Sequence, residues 1–232
     1  MTDAEQSRPH APIRSYVLRQ GRMTRSQERA FAQFWPIYGL VPGPAEPLDP
    51  ARLFAVEQPL FLEIGFGNGE GLAELARRHP ERNYLGIEVH SPGVGHLLIR
   101  AAELQLNNLR LIRQDAVEVL RDHLPANCLD GIMLFFPDPW HKKRHHKRRI
   151  VQPAFLDLCA RALKPGGILH LATDWQDYAE QMLHLLQACP QLSNCQAADG
   201  FAPRPEGRPL TRFEQRGQRL GHGVWDLLFR RL

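Results

Sequence analysis

From Pro59 onward, short apolar runs alternate with longer amphipathic segments, and this alternation leaves few folds open. The short runs read as strands of a parallel sheet, and the segments between them are long enough to be the crossover helices that parallel pairing requires. The pattern predicts strands at 60–64, 84–89, 109–113, 131–136 and 168–172 and a late strand at 224–229. Helices are predicted over 71–78, 94–106, 152–163 and 176–188, the third closed by Lys164-Pro-Gly-Gly167. The class is therefore α/β, with a mostly parallel sheet. Ahead of it, residues 1 to about 30 are polar and basic, and Val41 to Pro50 holds four prolines in ten residues, the composition of a linker. The chain divides into a basic N-terminal arm with a Pro-rich linker over 1–50 and a folded domain over 51–232. Its 232 residues hold one α/β domain and an extension rather than two domains of typical size.

An acidic residue stands at or just past the end of each main strand: Glu63, Glu88, Asp115, Asp138 and Asp174. The first four are 25, 27 and 23 residues apart, about one βα unit each. Ligands of open α/β sheets bind at the carboxyl edge of the strands, so these five carboxylates are expected to converge on one crevice. The loop Glu63-Ile-Gly-Phe-Gly-Asn-Gly69 opens a helix there, with Gly65, Gly67 and Gly69 letting a cofactor approach the backbone. A dinucleotide fingerprint would want glycine at position 70, where this chain has Glu70, an anion at the place a pyrophosphate would use. A nucleoside cofactor without phosphates fits better. S-adenosylmethionine is such a ligand, with Glu88 accepting from both ribose hydroxyls and Asp115 near the adenine amino group.

Composition excludes other classes. Hydrophobic residues at 43% and charged residues at 23% argue against a disordered or collagen-like chain. The longest uninterrupted apolar stretch, Ile132 to Phe136, is far short of the roughly 20 residues of a membrane span, so no membrane is expected. The polar N-terminus has no secretory signal pattern, and Cys128, Cys159, Cys189 and Cys195 form no metal or disulfide framework, so a cytoplasmic protein with reduced thiols is expected. The net charge of +4 conceals one feature: the nine residues His141 to Arg149 carry six Lys or Arg and no acid. A second basic stretch runs from Arg8 to Arg29. Alone, such a run reads as a solvated face; beside a reaction centre it reads as a site for a polyanion. His141, His145 and His146 lie inside this cationic run, which opposes metal binding, and no metal is expected.

The segment Pro137-Asp-Pro-Trp-His-Lys-Lys-Arg-His-His-Lys-Arg-Arg149 resembles the signature of the bacterial tRNA (guanine-N7-)-methyltransferase family. Arg14-Ser-Tyr-Val-Leu-Arg-Gln-Gly-Arg-Met-Thr24, the Glu63 loop and Thr211-Arg-Phe-Glu-Gln-Arg-Gly217 resemble it too, in family order. The resemblance implies a class I methyltransferase (Rossmann-like) fold, a seven-stranded sheet with its last strand antiparallel and helices on both faces, in the 51–232 domain. It implies methylation of the variable-loop guanosine of tRNA, position 46. By motif position it places the donor on Glu63, Glu88, Asp115 and Asp138, with Asp138 also catalytic. It assigns substrate contacts to Lys142, Asp174 and Thr211, Arg212, Phe213 and Glu214. The expected partner is tRNA, and the expected assembly a monomer or weak homodimer. Residues 190–208 match nothing in this pattern.

From residue chemistry, Lys142, Arg148 and Arg149 are expected at phosphate, Trp140 and Phe213 either stack on bases or belong to the core, and Glu214 either meets a base or pairs with Arg212 or Arg216. Two rival readings stay open. An amino-group methyltransferase would carry a second proline where this chain has Trp140, and a non-enzymatic RNA-binding protein would not need the four intact carboxylates.

Overall fold

The computed structural model describes residues 14–17, 21–43, 47–198, 200–210, 214 and 223–232. Among these the parallel strands are β2 (Leu60–Ile64), β3 (Asn83–Ile87), β4 (Leu109–Ile112), β5 (Leu129–Phe135) and β6 (Leu163–Thr173). Two further strands, β7 (Leu192–Asn194) and β8 (Trp225–Arg231), follow, with β8 antiparallel to both β6 and β7. To the expected seven strands the structure adds an eighth, the two-residue β1 (Gly39–Leu40), parallel to β4 at the sheet edge. The strand order is β1-β4-β3-β2-β5-β6-β8-β7. Lys164-Pro-Gly-Gly167, read from sequence as a helix stop, follows the end of that helix at Ala162 and is also the irregular start of β6, with Gly166 at φ 82°.

Alternate residues of the strands feed opposite layers. Leu62, Leu85, Ile132, Leu134, Leu169 and Leu227 point into one core, closed by α5 (Pro153–Ala162) and α6 (Gln176–Gln187). Tyr84, Leu109 and Leu111 face the other, closed by α1 (Arg25–Tyr38), α2 (Glu70–Arg78) and α3 (Ser91–Glu103).

Helix α1 lies inside the segment read as arm and linker. It is fixed by a capping box, in which the Thr24 N–H donates to Gln27 Oε1 (2.8 Å) while the Gln27 N–H donates to Thr24 Oγ1 (3.3 Å). The Thr-x-x-Gln spacing was a sequence signal for this helix that the basic composition obscured. Helix α1 then packs on α3: Tyr38 Oη donates to the buried carbonyl of Ala101 (3.1 Å), and a Cβ on Gly95 would stand 2.8 Å from Gln27 Cβ.

Over β5, β6 and β8 none of the helices α1–α3, α5 and α6 closes the second layer among the described residues. Residues 200–210 cover it, tied to β8 by the bridge between Ala202 and Asp226. Arg208, fully buried, is ion-paired through Nε to Asp226 (2.8 Å) and donates through both terminal nitrogens to Glu214 (2.7 and 2.8 Å). Arg204 also donates to Glu214 (2.9 Å), and His170 Nε2 lies 2.7 Å from Asp226 Oδ1. The stretch 190–208 that sequence left unassigned thus holds β7 and, from residue 200, most of a charged plug on a sheet face. Because Arg208→Met would leave two buried carboxylates short of their shared cation, it is expected to cost about 3–5 kcal/mol in urea unfolding. A loss under 1 kcal/mol would show that the plug does not hold this face.

Candidate active site

The chain runs outward from β2 through β3 to β4 and then crosses back to β5, so β2 and β5 are neighbours whose following loops leave in opposite directions. This switch point opens a crevice at the carboxyl edge. After Ile64 the chain turns through Gly65, Gly67 and Gly69 at φ 71°, 60° and 77°, a region closed to most side chains. Gly93 of α3 fits against the same loop, since a Cβ there would stand 2.0 Å from the Gly67 carbonyl oxygen. Sequence reasoning missed Gly93, although Gly93 and Gly95 in one helix were a sign of close approach on two sides.

Glu88 follows β3 immediately. Its Oε2 accepts from the Gly67 N–H (2.9 Å) and its Oε1 from those of Val89 (2.7 Å) and His90 (3.0 Å). A carboxylate offers about four acceptor sites, so three are engaged in shaping the loop and one remains for a ligand, where the sequence reading asked for two. Glu63, next to last in β2, is buried, and its Oε2 has no hydrogen-bond partner among the described residues. Burial first, and the charge of Glu88 second, push its carboxyl up to about 8. Asp115 accepts from the Val117 N–H (2.8 Å) and caps the short helix α4 (Ala116–Glu118).

Two cavities flank the end of β2. One, of about 490 Å³, is lined by Glu88, Asp115 and Asp138 among Ile87, Leu134 and Ile150. The other, of about 530 Å³, is lined by Glu63, Glu70 and the glycine loop. They share Gly65, His90, Phe135 and Phe136, and neither is lined by a described Lys or Arg. The crevice therefore suits a phosphate-free ligand carrying positive charge, with apolar walls and acidic acceptors.

The turn after β5 presents Asp138. Phe136 and Trp140 hold φ 53° and 48°, strained for bulky residues and worth of order 1–3 kcal/mol each, so their surroundings must fix them. The Phe136 N–H donates to Ala172 O (2.8 Å), and the Trp140 N–H donates to Asp138 Oδ1 (3.0 Å). From beneath, the Arg208 guanidinium lies 5.9 and 5.7 Å from the ring centroids of Phe135 and Phe136. The Trp140 indole N–H donates to Ser15 O (3.1 Å), while Arg148 lies 4.9 Å from its ring centroid.

Arg149 departs from expectation. It was read as a phosphate contact, but it is buried and every guanidinium nitrogen has a partner: Nε donates to Pro139 O (2.8 Å), one terminal nitrogen to Gln181 Oε1, the other to Asp177 Oδ2 (2.5 Å). It anchors the Asp138 turn to α6, and its guanidinium holds the Asp177 carboxyl below the usual range. The exposed cations are Lys142, Lys143, Arg144 and Lys147, on and beside the 3₁₀ helix Lys143–Arg148.

Asp174 also departs from expectation. Four of the five strand-end carboxylates line the two adjoining cavities, but Asp174 opens onto a separate cleft of about 680 Å³ with Trp175, Glu180 and Trp225. The cleft is linked to the basic segment by the His141 ring, 4.2 Å from that of Trp175. Glu214 is buried between Arg204 and Arg208, which removes it from direct contact with a substrate in this conformation. Thr211, Arg212 and Phe213 lie outside the described residues.

The fold is that of a class I methyltransferase. A family model described as "Putative methyltransferase" matches residues 57–227. The chain is 57% identical over 223 residues to a tRNA (guanine-N(7)-)-methyltransferase of Nitrosospira multiformis, covering 96% of both chains. It is 59% identical over 219 residues to the enzyme of that name from Thiobacillus denitrificans, covering 94% of this chain and 95% of the relative. Among solved structures, a 16S rRNA (adenine(1408)-N(1))-methyltransferase from Catenulisporales acidiphilia, determined with the cosubstrate SAM, matches with TM-score 0.56 at 18% identity, over 80% of this chain and 92% of that one. The 16S rRNA methyltransferase KamB matches with TM-score 0.56 at 15% identity, over 75% and 89%. The chain belongs to the tRNA (guanine-N(7)-)-methyltransferase family.

The raised Glu63 carboxyl makes a stability prediction. Folded protein keeps a proton there that the unfolded chain has lost once pH passes about 4.5, so this group's contribution falls as pH rises towards about 8. Glu63→Gln removes that dependence. Relative to the native protein without ligand, its unfolding free energy is expected to rise between pH 5 and pH 8 by on the order of 1 kcal/mol per pH unit at most. A pH-independent difference would show that Glu63 titrates normally.

Proposed function

We propose that the protein transfers the methyl group of S-adenosylmethionine to N7 of the variable-loop guanosine, position 46, of tRNA. The observation that carries this reading is the place of Asp138, which lines an acidic crevice on one side and, four to nine residues on, leads into the exposed cations Lys142, Lys143, Arg144 and Lys147. The residues of the crevice fit the donor: a buried carboxyl at Glu63 with one oxygen unpartnered among the described residues, one acceptor site left on Glu88, apolar walls and no described lysine or arginine. When bound, S-adenosylmethionine supplies an electrophilic methyl group on a cationic sulfonium.

The chain's residues need not remove a proton, because the N7 lone pair of guanine is free at neutral pH and lies in the base plane. Their task is alignment, which makes an encounter of two reactants effectively unimolecular. The strained turn, braced by Arg149 and Arg208, holds Asp138 beside the donor cavity. As positive charge moves onto the purine, the Asp138 carboxylate stabilises it and accepts from the guanine N1–H or N2–H₂. Asp174, in the neighbouring cleft, orients the RNA around the base, as does Lys142 from the surface. Glu214 acts on substrate through the Arg208 plug, and Thr211, Arg212 and Phe213 are assigned substrate contacts by the family resemblance alone. The base must be exposed from folded tRNA, and the cations hold the RNA while it is. This reading places the protein in the cytoplasm, as a monomer or weak homodimer; no described helix is long and apolar enough to cross a membrane.

Incubation with labelled S-adenosylmethionine and tRNA lacking the modification, followed by digestion and mass analysis, is expected to yield 7-methylguanosine from position 46. A methylated exocyclic amine would replace this reading with the amino-group alternative, and Asp138→Asn is expected to lower turnover about 100-fold or more. Changing Lys142, Lys143, Arg144 and Lys147 together to Gln is expected to reduce the slope of log affinity for tRNA against log salt by roughly 2–4. An unchanged slope would assign the run to a solvated face.

A further inference from the structure

The cavity beside Asp138 has a wall that strand-end logic does not supply. Ser15, Tyr16 and Val17 line it together with Glu88 and Asp115, although they precede the first helix and stand more than a hundred residues before Asp138. We infer that this N-terminal segment completes the methyl-donor site, the Tyr16 ring covering the adenosine part of the donor. The inference rests on the donor reading above.

Three observations carry it. The segment is latched, since the Trp140 indole N–H donates to the Ser15 carbonyl (3.1 Å). The Tyr16 side chain lies beside Asp115 on the wall of the same cavity, and burial, and next the charge of that carboxylate, raise its phenol above the ordinary value. The ring is half-buried and lines the cavity, with the Arg14 guanidinium 5.7 Å from its centroid. An aromatic plate beside an acid that accepts from an exocyclic amine is the pairing that recognises adenine, by stacking on its face and hydrogen bonding at its edge.

The latch gives the arrangement a consequence. Trp140 stands two residues past Asp138 and carries Arg148 and His145 of the basic 3₁₀ helix against its ring. The cover of the donor, the turn that presents Asp138 and the segment that meets RNA are therefore one connected assembly.

The test is binding of S-adenosylhomocysteine to the full chain without RNA, followed by calorimetry. Tyr16→Ala is expected to raise Kd about 10- to 100-fold, and Tyr16→Phe, which keeps the plate, to stay within about threefold. Trp140→Phe keeps the ring and loses the N–H, and is expected to weaken binding several-fold. Thermal midpoints of the ligand-free Tyr16 variants should match the native protein, because Tyr16 is outside the core. A second readout needs no variant: S-adenosylhomocysteine should slow tryptic cleavage after the exposed Arg14 in the native chain. Affinity of Tyr16→Ala within twofold of native, or no protection at Arg14, would overturn the inference. Failure of the native chain to bind S-adenosylhomocysteine would instead overturn the donor reading on which it rests.

Discussion

Strand β2 hydrogen-bonds to β3 on one side and β5 on the other, and the crevice depends on that placement. Because the chain leaves β2 and β5 in opposite directions, no loop fills the space above their junction, and the acids that end neighbouring strands are brought to its rim. Glycine at 65 and 67 keeps the rim bare, while Gly93 lets α3 close against the Gly67 carbonyl. Glu88 then spends three of its acceptor sites on the backbone of this rim, so a carboxylate that lines the crevice also holds the loop in shape.

Two buried arginines support the reacting edge from different directions. Arg149 reaches from the basic segment into the body and ties the Pro139 carbonyl to α6. Arg208 comes from the irregular plug over β5, β6 and β8, where its charge is shared by Glu214 and Asp226 beneath the rings of Phe135 and Phe136. Both arrangements put charge where solvent is excluded, which is tolerable only with partners on every side. Strain at Phe136 and Trp140 persists because these contacts over-determine the turn.

Most of the scaffold was legible in the chain. The strands start and stop within about two residues of the expected positions in β2, β3, β4, β5 and β8, since apolar runs buried on both faces leave a signal of their own. β6 begins five residues early, because Lys164-Pro-Gly-Gly167, which does follow the end of the helix, enters the sheet as an irregular start of the strand. The start of α1 was hidden by basic composition, although Thr24 and Gln27 spelled a cap, and β1, only two residues long, carries no apolar run of its own. Residues 190–208 matched no pattern: β7 is only three residues long, and the plug that follows it, held by ion pairs, has no hydrophobic period and covers strands β5 and β6 that lie far from it in sequence.

The sequence by itself determined the α/β class, the order of acids along the carboxyl edge, the phosphate-free character of the ligand and, through the segment from Pro137 to Arg149, the family. Those are properties of local pattern and spacing, which a linear chain carries openly. Only the tertiary structure decided what each charged residue does. Arg149 and Lys142 belong to one basic run, yet one is buried on three partners and the other is exposed. Asp138 and Asp174 follow adjacent strands, yet they open onto different clefts. The reason is physical: the role of a charge depends on how far water is excluded around it and on which partner stands within about 3 Å, and both are set by packing between elements far apart in the chain.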